Sequence, residues 1–218
     1  ALLLPFFPKG KSIRTRSELP SHDCSFTKES HYDEEGETMW LKLDLSGIKL
    51  SMQIRNYRKV SDDDWDSVWC KTDFAFVSDE WLNYRKDNDE VFLAREIEDL
   101  AKSLDDLLND RLNAPTEFNC IEPDFNFILN PKKDLRLDPK VLYVRPGCEI
   151  VDIDMEWKIS FLDEGLTDNY LSVSLVRSDI ECLLSYLRLV MGEVQESAPE
   201  IKALMNKGVV YRNDMDDA

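Results

Sequence analysis

An α+β domain, an antiparallel β-sheet with two main α-helices on one face, is the fold class this sequence predicts, and three observations predict it. Residues 151–161 alternate strictly: Val151, Ile153, Met155, Trp157, Ile159 and Phe161 fall against Asp152, Asp154, Glu156, Lys158 and Ser160, the period of a half-buried strand. Two other stretches repeat at helical spacing, first Ile97, Leu100, Ala101, Leu104, Leu107 and Leu108, then Ile180, Leu183, Leu184, Leu187 and Met191. Setting Ile97 on Ile180, 83 residues apart, also aligns Glu98 with Glu181, Leu100 with Leu183 and Leu104 with Leu187. Both helices follow a run of strands. Either an internal duplication into two strand-plus-helix halves or shared patterning accounts for the match.

Taken in order, residues 1–38 have no sustained period: an apolar, proline-bearing start, a basic run at Lys9, Lys11, Arg14 and Arg16, and an acidic end at residues 33–37. They read as an irregular N-terminal extension holding both histidines, His22 and His31. The domain is expected to begin at Met39 and run to Gly192. Strands at 40–45 and 48–54 bracket Ser46-Gly47, a two-residue hairpin turn. A charged loop, Ser61-Asp62-Asp63-Asp64-Trp65-Asp66, precedes a strand at 68–77 with Val68, Cys70, Thr72, Phe74 and Phe76 inward. Segments 80–84 and 90–93 are expected as strands flanking a turn at Asp87-Asn88-Asp89, followed by a helix over 95–112.

In the second half, strands are expected at 118–122 and 125–129, and a short one at 141–144 within a stretch broken by Pro139, Pro146 and Gly147. The long strand 151–161 turns at Asp163-Glu164-Gly165 into a strand with Leu171, Val173 and Leu175 on one face. Ser178-Asp179-Ile180-Glu181 has the form of a capping box opening the second helix, and Gly192 is its natural stop. Residues 193–218 form a polar tail with one short helix begun by Ala198-Pro199-Glu200 and a frayed acidic end at 214–217.

Composition narrows the function. The 218 residues carry a formal net charge of −17, which argues against a nucleic-acid partner, since phosphate is bound through Lys and Arg. Such a field suits a basic protein partner. The five cysteines, Cys24, Cys70, Cys120, Cys148 and Cys182, are odd in number and form no CxxC, which points to reduced thiols and the cytoplasm. No apolar run reaches membrane-spanning length, and residues 1–8 lack the basic region and cleavage site of a secretion signal.

No histidine lies in the domain, so a general base poised near neutral pH is not at hand. Glycine-rich phosphate loops are absent, and the acidic loop at 62–66 lacks the glycine and terminal glutamate of a calcium loop, so no cofactor and no metal are implied. Glu122 and Asp124 could pair as acid and base in a hydrolase, but a turn joining two strands explains them more simply. Trp157 lies on a core register, whereas Trp65, Trp69 and Trp81, with Tyr84 nearby, stand among acids as core lids or as anchors for a partner.

Four segments, Asp64-Trp65-Asp66-Ser67-Val68-Trp69-Cys70, Ser78-Asp79-Glu80-Trp81-Leu82-Asn83-Tyr84, Ile121-Glu122-Pro123-Asp124-Phe125 and Gly165-Leu166-Thr167-Asp168-Asn169-Tyr170-Leu171-Ser172, resemble in order and spacing the WapI family of bacterial immunity proteins. The resemblance covers about residues 39–192. It implies a non-enzymatic cytosolic antidote, encoded beside a large secreted toxin whose C-terminal domain is often a nuclease, that binds and neutralises that domain. No family binding motif carries over residue by residue. From composition, the expected partner-binding residues are Asp62, Asp63, Asp64, Trp65, Trp69, Asp79, Glu80, Trp81 and Tyr84. An acidic regulatory module with no toxin partner and a carboxylate-based hydrolase are the alternative readings.

Overall fold

Eleven strands and three helices make up residues 39–79, 81–161 and 169–212, the residues described by a computed structural model, and the longer strands and the helices follow the order the sequence predicts. The expected extension 1–38, the turn at Asp163-Glu164-Gly165 and the acidic end 214–217 lie outside those residues. In the first half, β1 (Met39–Leu45), β2 (Ile48–Arg55), β3 (Trp69–Ser78) and β4 (Leu82–Leu93) form an antiparallel meander, and α1 (Ala94–Leu108) follows β4 without a linker. The second half repeats the plan with β5 (Thr116–Asn119), β6 (Phe125–Asn130), β9 (Asp154–Ser160) and β10 (Tyr170–Val176) leading directly into α2 (Arg177–Val190). Between β6 and β9 two short strands, β7 (Lys133–Asp134) and β8 (Ile150–Val151), pair with each other. After α3 (Pro199–Asn206), β11 (Val210–Arg212) returns to pair with β1. The class is α+β, with the main strands shared between a five-stranded and a four-stranded antiparallel sheet.

Local chemistry explains each boundary. Ser46 and Gly47 both take positive φ, the geometry of a tight hairpin whose twist suits the flanking strands, and the Asp44 carboxylate accepts from the Gly47 N–H at 2.9 Å. Gly192, at φ 71°, ends α2. Both main helices begin alike: the third helical residue folds its carboxylate back onto the last strand residue, Glu96 onto the Leu93 N–H at 2.8 Å and Asp179 onto the Val176 N–H at 3.2 Å. Ala94 and Arg177, the first helical residues, are also 83 residues apart. The box expected at Ser178 and Glu181 is therefore displaced by two positions, because β10 runs into the helix with no intervening coil.

Four further expectations are corrected. Residues 87–89 do not separate two strands; β4 is continuous and absorbs two register shifts against β3. Asn88 takes positive φ there and its N–H is held by Asp73, whose carboxylate also accepts from Arg55 Nη2 at 2.7 Å. Residues 141–144 form no strand, and Leu142 is wholly exposed. The alternation over 151–161 breaks after Val151, where Arg177 draws the Asp152 side chain away and pairing resumes at Asp154. The first helix ends at Leu108, with Asp110 at positive φ, short of the expected residue 112.

One core serves both sheets, and all the described residues belong to one compact unit. Phe74 of β3 meets Phe125 of the second sheet at 4.9 Å between ring centroids and Phe76 meets Trp157 at 5.6 Å, while Trp157 lies 5.1 Å from both Phe125 and Phe127. The two main helices pack on each other, and α2 also touches β1, β9 and β10. From α2 the buried Tyr186 hydroxyl accepts the Ile54 N–H at 2.9 Å and donates to the Met39 carbonyl at 3.1 Å. Tyr186→Phe leaves a buried donor and a buried acceptor unmatched and is expected to cost about 1–3 kcal/mol, read as a lowered urea midpoint at unchanged slope.

Candidate binding surface

The acidic residues expected to meet a partner stand on a loop that is pinned at its base. Asp62–Asp64 form one turn of 3-10 helix with no buried residue. The turn is closed by the Asp64 N–H donating to the Ser61 carbonyl at 3.1 Å and the Ser67 N–H to the Asp64 carbonyl at 3.0 Å. Arg95, at the second position of α1, reaches back to Asp62 at 2.8 Å. Trp65, 45% exposed, rides on this turn beside three carboxylates.

The other expected residues divide by location. Trp69 is half-buried on β3 opposite Leu93. Tyr84 serves as an interior lid, its ring 4.8 Å from Phe161 and 5.9 Å from Phe74 and its hydroxyl 3.4 Å from the Ser160 carbonyl. Asp79 and Trp81 are exposed on the β3–β4 turn, Trp81 by 65%, and Glu80 lies outside the described residues. Since β3 spans ten residues, roughly 30 Å at strand rise, the Asp62–Trp69 group and the Asp79–Trp81 group occupy opposite ends of it.

Two buried carboxylates, Asp124 and Glu96, are held by partners. Asp124 is buried and takes the Lys86 ammonium at 2.7 Å, while its backbone carbonyl accepts the Ser160 N–H. Burial pulls the Lys86 ammonium down, but hydrogen bonds to Asp124 and Asp89 more than offset this and its pKa is raised. Glu96, raised by burial, accepts from the Leu93 N–H and at 2.6 Å from the Ile121 N–H, tying the start of α1 to the chain beyond β5. Burial also pushes the Cys70 thiol up to about 12, which makes it inert. In a cavity at the α1–α2 seam Arg188 pairs with Asp105 at 2.7 Å and the Tyr57 hydroxyl donates to the Glu98 carboxylate at 2.8 Å.

Sequence reasoning missed a second exposed surface, the connection 131–153. It presents Leu137, Leu142 and Tyr143 at 81%, 100% and 78% exposure. The available signal is the run Val141-Leu142-Tyr143-Val144 between Pro139 and Pro146, which on its own predicts a short strand. Arg177 clamps this connection, donating from Nη2 and Nε to Asp152 at 2.7 and 3.0 Å and from Nη1 to the Leu108 carbonyl at 3.3 Å. Hydrogen bonding from Arg177, then from the Ile153 amide, lowers the Asp152 pKa to about 2. A depressed carboxylate contributes stability above its unfolded value near 4 and loses it as pH falls through the folded value. The clamp is thus expected to release between about pH 4 and pH 2. In Arg177→Gln, NMR carboxyl titration should find the Asp152 pKa raised toward its ordinary value of about 4, while the Ile153 amide keeps it below that value.

Residues 41–193 match the family described as the immunity protein WapI-like family. Comparison with curated proteins and with solved structures returned no match.

Proposed function

The chain belongs to the immunity protein WapI-like family, and we propose that it neutralises one secreted toxin domain by binding it, with no bond made or broken by its own side chains. Family membership carries this reading. The partner is a basic domain, with a nuclease the best fit, because an enzyme acting on nucleic acid presents cations to phosphate. A chain of net charge −17 accelerates and orients its encounter with such a surface. Within that field the 3-10 turn at Asp62–Asp64 supplies the most concentrated exposed charge of the expected site, and Trp65 beside it offers an aromatic contact. Asp79 and Trp81 extend the same chemistry to the far end of β3, while Trp69 and Tyr84 hold the frame from inside.

The cytoplasm is the compartment this role requires, since the antidote must meet the toxin where the producer is vulnerable. No described helix is long and apolar enough to cross a membrane, and the four described cysteines are unbridged. The engagement of Asp124 by Lys86 weighs against the hydrolase reading.

Reversing Asp62, Asp63 and Asp64 to Lys is expected to slow association with the toxin domain encoded beside this chain by about tenfold at low ionic strength and to flatten its salt dependence. Stopped-flow association across a salt series reads both. An on-rate identical to the parent's at every salt concentration would remove this turn from the interface.

A further inference from the structure

The two halves differ most in the connection between their second and third strands. In the first half it is residues 56–68, in the second residues 131–153, and each contains a 3-10 turn, Asp62–Asp64 or Leu135–Leu137. An arginine at the start of the following helix clamps each one, Arg95 to Asp62 and Arg177 to Asp152. The first connection is acidic and the second is apolar. A monomer's surface carries large apolar residues singly, whereas here Leu137, Leu142, Tyr143, Ile150 and Val151 are all exposed within fifteen residues.

The backbone presenting them is already ordered. Leu135 N–H donates to the Glu149 carbonyl at 2.8 Å, Val141 N–H to the Asp138 carbonyl at 3.0 Å and Cys148 N–H to the Arg145 carbonyl at 3.0 Å. Binding through such a segment loses little to chain ordering. Its acids are spoken for: Asp134 by Arg136, Asp138 by Lys133, Asp152 by Arg177, and Glu149 by the Gly147 N–H. Lys132, Lys133, Arg136, Lys140 and Arg145 outnumber Asp134, Asp138 and Glu149 within residues 131–151, so the apolar tip has a net positive rim on an acidic protein.

We propose, resting on the toxin-binding reading above, that residues 131–151 anchor the toxin domain at an exosite: Leu142 and Tyr143 enter an apolar pocket bordered by carboxylates, away from the toxin's cationic cleft. A cationic cleft would repel Lys132, Lys140 and Arg145, so the segment and the acidic turn address different parts of the partner. The acidic turn stands at the start of α1 and the anchor at the start of α2, beside the end of α1, a helix length of roughly 20 Å away. One folded domain spans that distance.

The test compares binding of the purified toxin domain to the full chain and to two double variants. Leu142→Ser with Tyr143→Ser removes exposed contacts only, so its urea midpoint should match the parent's, while its Kd should rise about 30-fold, mainly through faster dissociation at unchanged salt dependence. Lys140→Glu with Arg145→Glu should speed dissociation about tenfold by setting carboxylates against carboxylates at the pocket border. If the parent binds and the first variant binds within about fivefold of it, the anchor is wrong; if the second variant dissociates no faster than the parent, the pocket is not bordered by carboxylates and the exosite is wrong. A parent chain that does not bind the toxin domain overturns the toxin reading itself, and the anchor falls with it.

Discussion

The contact of Trp157 with Phe76, Phe125 and Phe127 is the constraint on which the remaining structure depends. A twisted antiparallel sheet with one apolar face must cover that face, and here each sheet covers the other through large rings packed edge to face or tilted. Because β3 and β9 are thereby fixed, the hairpins and helices on either side of them have only one place to go. Lys86 and Asp124 close one flank of the seam by ion pairing, and Tyr186 closes the helical flank by bridging β1 and β2. Polar contacts at the margins select the arrangement that the aromatic core drives.

Upon that core the chain builds one plan twice. Each meander runs straight into a helix whose third residue turns its carboxylate back on the strand, Glu96 in one half and Asp179 in the other. Each helix start also carries the arginine that clamps the longest connection of its own half. Ala94 and Arg177, the first residues of the two helices, stand at the spacing that aligns Ile97 with Ile180. The two clamped connections have diverged where the frame has not: one is acidic, the other apolar with a positive rim. A rigid frame bearing two dissimilar projections suits a protein that holds a partner and performs no reaction on it.

How much of this was legible in the sequence follows the range of the interactions involved. Phe74, Phe76, Leu100 and Leu183 declare their faces through period alone, and the structure buries them all. The continuity of β4 was hidden because Asn88 depends on Asp73, fifteen residues earlier. The end of β8 was hidden because Asp152 answers to Arg177, twenty-five residues later. The three-residue β11 is too short to show a period and exists because β1 offers it an edge. Among the expected site residues, Asp62 to Trp65 and Trp81 could be placed outside by their acidic setting, whereas Tyr84 sits in a similar setting and turns inward to Phe161, a ring seventy-seven residues away in the chain. Leu142 and Tyr143 are apolar, and apolar character by itself argues for burial; only the fold reveals that they are exposed.

The central claim, that this frame holds a toxin domain through its two strand-to-strand connections, is tested most directly by hydrogen–deuterium exchange of the full chain with and without that domain. The account predicts slowed exchange at residues 61–66 and at residues 131–151, with the exposed edges of β5 and β11 unchanged. A stable complex in which neither connection gains protection would contradict it.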